Sequence, residues 1–201
     1  DLAQILQKHR NKIMEYIHLP AQSGNSLILD RMNRGYTREE YIEKAKMLLR
    51  EIPNCVLSTD LIVGFPGETE AEFEHLLEFL QQAQIDRAGC FAYSPVQGAA
   101  ANELPGMLPA QERERRRARF MAVAEEVSVQ RLQGRVGQTL QVLVDSATGA
   151  GRQGGVGRSY ADAPEIDGQV FVKRSAAKPG TFLRTRIIEA RPYDLLAEVV
   201  R

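Results

Sequence analysis

Two hydrophobic periods divide this chain. Up to about residue 95, short apolar runs alternate with segments whose apolar residues recur every three or four positions. Beyond residue 134 the helical period disappears, and apolar and polar positions alternate over short stretches. The first pattern predicts βα units around a parallel sheet, the second a set of short half-buried strands.

Within the first region the spacing predicts a helix over 1–11 and a buried strand from Ile13 to Leu19 (IMEYIHL), ended by Pro20. A short helix is expected around 25–33. Thr37, with Glu40 three positions on, forms a capping box opening a helix whose Tyr41, Ala45, Leu48 and Ile52 share a face; Pro53 stops it. The next strand is Val56 to Val63 (VLSTDLIV), which runs into the turn Gly64-Phe65-Pro66-Gly67. A second box, Thr69 with Glu72, opens a helix carrying Phe73, Leu76, Leu77 and Leu80. A third strand fits Gly89 to Tyr93. Residues 94–109 hold three prolines and little periodicity, the signature of a surface loop. A basic helix is then expected from Gln111 to Gln133, with Phe120, Val123, Val127 and Leu132 as its apolar stripe and Gly134 as its stop.

After Gly134, Leu140, Val142 and Val144 point one way and Gln141 and Asp145 the other. Glycines 149, 151, 154, 155 and 157 suit a flexible hairpin loop, and further strands fit 156–160, 169–172, 182–189 and 195–199. Five short strands in so small a region predict a closed barrel of the OB type, since closure protects the strand edges. The expected organisation is an α/β domain over 1–109, a connecting helix over 110–134 and an all-β barrel over 135–201.

Composition narrows the chemistry. The 201 residues carry 26 basic and 26 acidic side chains, so net charge gives no sign of a polyanion partner. There are two cysteines, Cys55 and Cys90, too few for a Cys₄ metal site or for the three ligands of a 4Fe-4S cluster. Both are expected inside strands, as small buried hydrophobes. His18 and His75 lack metal-site spacing, and no metal ligand is assigned. The sequence shows no apolar run long enough to span a membrane, no signal-peptide pattern and no disulfide framework, so a cytoplasmic location is expected. The run Arg113 to Arg119 could be a nucleic-acid footprint, but its interleaved glutamates predict a solvated helix face.

The sharpest local signal is STDLIVGFPGET, residues 58–69: a strand, a glycine turn and a capped helix start, where backbone N–H groups face a ligand at the carboxyl end of a parallel strand. A plain βα turn would show the same pattern. The wording of four runs in order adds more. HLPAQSG (18–24), RMNRGYTR (31–38), STDLIVGFPGET and Tyr93-Ser94-Pro95 resemble the second half of the radical S-adenosylmethionine (SAM) domain of the methylthiotransferases. The tail resembles the TRAM domain, the small OB-like barrel of the same enzymes. The resemblance covers essentially the whole chain and implies the C-terminal half of a partial (β/α) barrel followed by a TRAM barrel.

Two substrate branches of that family are in play. GCFAYSP (89–95) and GRSYADAPEIDG (157–168) resemble the branch that thiomethylates an aspartate β-carbon on small-subunit ribosomal protein twelve. HLPAQSG and RGYTREEY read more like the branch acting on a modified adenosine of transfer RNA. The barrel motif weighs more, because a substrate-contacting barrel should differ most between branches. Between Asp145 and Gly168, four acidic residues face two basic ones, a poor cradle for phosphate and a suitable one for a basic ribosomal protein. A module that binds RNA or a ribosomal protein without chemistry is the reading from another class.

By resemblance, Gln22 and Ser23 contact SAM, Arg34 pairs with its carboxylate, Ile62, Val63 and Gly64 flank the adenine, and the strand through Phe91 and Tyr93 closes the other side. Gln22 and Ser23 would equally serve to end a strand and cap a helix. Arg158, Tyr160, Asp162, Glu165 and Asp167 are the candidate substrate contacts of the barrel, although DAPEID would equally suit a solvated turn. The family uses SAM and two 4Fe-4S clusters held by six cysteines, none of them in this sequence, so an N-terminal half should supply them and the isolated chain should be inactive. The strand near Ile13 is expected to be an exposed edge that makes the α/β part aggregation-prone, while the barrel folds by itself.

Overall fold

The computed structural model describes residues 2–9, 11–52, 54–147 and 154–200. The chain forms two compact units, one of residues 1–9 and 17–127, the other of residues 10–16 and 128–201.

In the first unit a parallel sheet in the order β1-β2-β3 is built from β1 (Tyr16–His18), β2 (Val56–Val63) and β3 (Arg87–Ala92). Its helices are α1 (Leu2–Lys8), α2 (Ser26–Arg31), α3 (Arg38–Glu51) and α4 (Glu70–Ala83). Both predicted capping boxes form: Thr37 and Thr69 accept from Glu40 N–H and Glu72 N–H, and each glutamate returns to its cap's backbone N–H. These reciprocal bonds satisfy donors that a helix start otherwise leaves open. Asn25 caps α2 by accepting from the N–H groups of Leu27 and Ile28.

One face of the sheet is apolar. Leu57, Leu61 and Val63 of β2 join Tyr41, Ala45 and Leu48 of α3 and Phe73, Leu76, Phe79 and Leu80 of α4 in a single core, with Leu77 partly buried beside it. Gly24 is required by this contact, since a Cβ there would lie 2.6 Å from the Cβ of Phe79. The long helix α5 (Ala110–Gln133) adds Phe120 and Ala124 to the same core.

The second unit is the closed five-stranded barrel predicted, in the order β4-β5-β6-β8-β7, from β4 (Thr139–Ser146), β5 (Gly154–Arg158), β6 (Val170–Lys173), β7 (Phe182–Ala190) and β8 (Leu195–Val199). All pairs are antiparallel except β6 with β8. Val142, Val170, Val172, Ile187, Leu195 and Ala197 fill its interior, joined by Leu132 from the end of α5. Gly157 permits the β4–β5 approach, because a Cβ would lie 2.2 Å from the Leu143 carbonyl oxygen.

Several expectations are corrected. The strand predicted from Ile13 begins only at Tyr16, and residues 11–15 group with the barrel unit instead. An apolar run fixes an extended tendency but not its partner, so pairing decides where the strand starts. The third strand opens two residues early, at Arg87, and β5 opens two residues early, at Gly154. Cys55 precedes β2 rather than lying within it, though it is buried as expected. The stop assigned to Pro53 and the loop glycines 149 and 151 lie outside the described residues. Among the described residues no helix is long and apolar enough to cross a membrane.

Candidate functional site

The carboxyl ends of β1, β2 and β3 form one rim. Beyond β1 the chain continues extended, with Leu19 N–H donating to the Ser58 carbonyl at 2.8 Å and Gln22 N–H to that of Asp60 at 3.0 Å. The Gln22 carbonyl then accepts from Ile62 N–H at 2.9 Å. Immediately afterwards the chain reverses in a three-residue turn, Ser23 N–H to the Ala21 carbonyl at 2.7 Å, which holds Gln22 at φ 64°. A non-glycine residue in that region costs about 1–3 kcal/mol, and such strain persists where surrounding bonds over-determine it. The half-buried Gln22 side chain has no hydrogen-bond partner among the described residues. Ser23 differs. It is buried, and its hydroxyl accepts from Asn25 N–H at 3.2 Å, so it belongs to the turn leading into α2.

Ile62 of β2 and Phe91 of β3 are register partners at the rim, the first half-buried and the second exposed. Val63 points into the core. Gly64 takes φ 69° and donates its N–H to Glu68 Oε1 at 2.9 Å. Tyr93 donates its N–H to the Val63 carbonyl, sets its ring edge-on to Phe65 and bonds Asn102 through its hydroxyl. Arg34 is exposed; its charge acts on Tyr36, whose hydroxyl donates to the Ala21 carbonyl beside Gln22. Burial raises the Tyr36 hydroxyl above its ordinary pKa despite that cation. The geometry thus brings Gln22, Ile62, Gly64, Phe91 and Tyr93 to one rim, and turns Ser23 and Val63 away from it.

Sequence reasoning missed two features. The first is that the basic run is not wholly a solvated face. Arg116 is buried and reaches from α5 into the turn before α4, bonding Glu68 Oε1 at 2.6 Å, the Glu68 carbonyl at 3.0 Å and Glu70 at 3.2 Å. Arg113 bonds the Tyr93 carbonyl and lays its side chain over Gly64, whose Cβ, if present, would lie 2.5 Å from Arg113 Cγ. Among the described residues, Glu68 Oε2 and Arg113 Nε are buried and have no hydrogen-bond partner. Arg115 and Arg117 pair with Glu112 and Glu114 on the exposed helix surface, and Arg119 pairs with Glu70 and Glu74 of α4. The run reads as solvated in sequence because the glutamates that bury Arg116 lie nearly fifty residues away.

The second missed feature is the other face of the sheet. By alternation, His18, Ser58, Asp60 and Gly89 lie opposite the core-facing residues, giving a polar face where an ordinary sheet would be apolar. Their grouping depends on strand order and register, which no local spacing encodes.

In the barrel unit most candidate substrate residues hold the loop itself. Asp162 is buried and accepts from Ser159 N–H at 3.0 Å and from the Ser159 hydroxyl at 2.7 Å. Asp167 accepts from Ala163 N–H and from the Tyr16 hydroxyl, both at 2.8 Å. Arg158 pairs with Asp145, and Arg135 both bonds and stacks on Tyr160. Glu165, at φ 64°, is exposed at the loop tip beside Ile166, which is 84% exposed. The loop therefore has a rigid base and a free tip.

The two cysteines lie in the interior. Both are buried, and burial pushes the Cys90 thiol up to about 12. No three His, Cys, Asp or Glu side chains gather at metal-binding distance among the described residues.

The two units, a parallel α/β sheet and a closed five-stranded barrel, each match a known class of domain. Residues 1–80 match the Radical SAM superfamily and residues 136–200 the TRAM domain. The chain is 56% identical over 194 residues to the ribosomal protein uS12 methylthiotransferase RimO of Delftia acidovorans, covering 94% of this chain and 41% of that protein. It is 54% identical over 189 residues to RimO of an Acidovorax species (92% and 41%), and 48% identical over 193 residues to RimO of Cupriavidus pinatubonensis (93% and 42%). Through both units the chain is similar to these RimO methylthiotransferases, and it spans about two fifths of the length of the relatives it matches.

Proposed function

We propose that this chain is the SAM-facing wall and substrate-binding barrel of an enzyme that adds a methylthio group to an aspartate β-carbon of small-subunit ribosomal protein uS12. The observation that carries the reading is identity of 48–56% to proteins of that name through both units, barrel included. The acidic excess between Asp145 and Gly168 supports a basic protein rather than transfer RNA at the barrel.

The rim fits SAM. Its half-buried Gln22 offers an uncommitted amide, and Ile62 with Phe91 offers adjacent apolar surface for a purine. Gly64 lets backbone approach closely, and Arg34 supplies a cation for a carboxylate. Tyr93, braced by Phe65 and Asn102, shapes the far side. Ser23 and Val63 act from behind, fixing the turn and the strand on which the contacting residues sit. When bound, SAM supplies both the methyl group and the radical that removes a hydrogen from the substrate carbon.

Two 4Fe-4S clusters complete the family reaction. This chain's residues do not fit them, because the two thiols are buried singly and at least one is held protonated by its surroundings. Cluster ligands belong to sequence outside this chain, and the 201 residues alone are inactive. In the barrel, Arg158, Tyr160 and Glu165 meet the protein substrate, with Asp162 and Asp167 holding the loop that presents them.

Two measurements test this. Anaerobic reconstitution of the 201-residue polypeptide with iron and sulfide is expected to yield no cluster absorbance, and a stable 4Fe-4S spectrum would overturn the assignment of ligands. Binding of the chain to purified uS12 and to transfer RNA is expected to favour the protein. Tighter binding to transfer RNA, with a steep loss on adding salt, would move the chain to the other substrate branch.

A further inference from the structure

The polar face of the sheet carries a built pair of groups. His18 Nδ1 lies 2.8 Å from the hydroxyl of Ser58, which is buried and holds the ring from one side. Asp60 is register partner to Gly89, and a Cβ at Gly89 would lie 2.5 Å from Asp60 Oδ1, so the missing side chain makes the space in which the carboxylate sits. Each group is thus fixed on its inner edge. Each is open on its outer edge, with 48% of the His18 side chain and 43% of the Asp60 side chain exposed. His18 Nε2 and Asp60 Oδ2 stand 3.6 Å apart, too far for a direct hydrogen bond and close enough for one ligand to engage both.

In the tautomer in which the Ser58 hydroxyl donates to Nδ1, the imidazole presents Nε2–H as a donor, and Asp60 presents an acceptor beside it. A ligand matching this pair carries an acceptor and a donor side by side. An extended peptide residue does so, because its own C=O and N–H point to the same side, the arrangement that antiparallel strands exploit.

We infer that His18 and Asp60 form a two-point site for the main chain of an extended protein segment, Nε2–H donating to a substrate carbonyl and Asp60 Oδ2 accepting from the N–H of the same residue. This rests on the protein-substrate reading above and deepens it: the sheet face grips the backbone around the reacting side chain, while the barrel loop recognises the protein. A nucleobase edge also offers paired donors and acceptors, but the acidic barrel loop favours a polypeptide.

The test uses the full-length enzyme containing this sequence, reconstituted with its clusters, with purified uS12 and with transfer RNA. Asp60→Ala and His18→Phe are expected to raise KM for uS12 about tenfold each, the loss of one such bond, with the Kd for SAM unchanged. His18→Gln, which restores a donor at similar reach, should recover most of the KM. Gly89→Ala, which displaces the carboxylate without removing it, should raise KM as Asp60→Ala does. Thermal unfolding of each variant controls for folding. If wild-type enzyme modifies uS12 and these variants leave its KM unchanged, the inference is overturned. Weaker SAM binding in place of a KM effect would also overturn it, because the pair would then serve the cofactor. If the wild-type enzyme modifies transfer RNA and not the protein, the protein-substrate reading itself fails, and the peptide site with it.

Discussion

Replacing Arg116 with methionine probes how α5 is fastened to the rim. The guanidinium is 5% exposed and its main partner, the Glu68 side chain, 1%. Removing it leaves a buried carboxylate held, among the described residues, by Gly64 N–H, and strips the Glu68 and Thr69 carbonyls of a donor. It also removes a cation 5.3 Å above the Phe73 ring. Breaking a buried pair from one side costs about 3–5 kcal/mol, and methionine packing against Phe73 offsets part of that, so a loss of about 3 kcal/mol is expected. For a unit of this size that is a fall in Tm of about 10 °C, read by calorimetry or by the helix signal in circular dichroism. Adding Glu68→Gln should recover about 1–2 kcal/mol, because it removes the stranded charge. The pH dependence has a definite sign. Burial raises the Glu68 carboxyl above its ordinary range even with Arg116 in place, and losing Arg116 raises it further. A carboxyl that binds its proton more tightly when folded favours the fold at low pH, and that contribution is lost as pH rises from the unfolded pKa through the folded one. The deficit of Arg116→Met should therefore be smaller at pH 5 than at pH 8. A loss below about 1 kcal/mol, or a deficit that grows on acidification, would refute the reasoning.

Three further outcomes are expected. Gly157→Ala should unfold or severely weaken the barrel, since its Cβ would meet the Leu143 carbonyl oxygen at 2.2 Å and Val142 Cγ1 at 2.8 Å; unchanged barrel amide protection in hydrogen exchange would contradict this. Cys90, its thiol pushed up to about 12 by burial, should resist iodoacetamide at pH 8.5 until the protein is denatured, and rapid labelling of Cys90 in peptide mass spectrometry would refute its burial. Thr69→Ala should cost about 1 kcal/mol in urea unfolding through loss of the capping box at α4, and no measurable change would show that the cap is replaced by solvent.

How much was legible follows from how far each interaction reaches along the chain. Both capping boxes, β2, β8 and the alternation of Val142 and Val144 against Gln141 and Asp145 were read correctly because each is written within a few residues. Phe79 is missing from the expected core face of α4, Phe73, Leu76, Leu77 and Leu80, since the buried arc extends through Phe79 and Ala83 and leaves Leu77 only partly buried. The start of β1 was misread because Ile13 and Met14 are as apolar as Ile17, and only pairing with β2 distinguishes them. At the rim, Gln22 and Gly64 are singled out by motif wording. Arg113 is not, because its contact with Gly64 joins residues that share no local pattern.

The sequence by itself determined the two classes of unit, the caps and turns that punctuate them and the count of two cysteines, since period, capping and composition are local or additive properties. Tertiary structure alone decided that Arg116 is buried and that His18, Ser58, Asp60 and Gly89 share one face. Each of these depends on strand order and register, or on a helix returning to a distant turn, and burial changes what a charge costs and what it can bind.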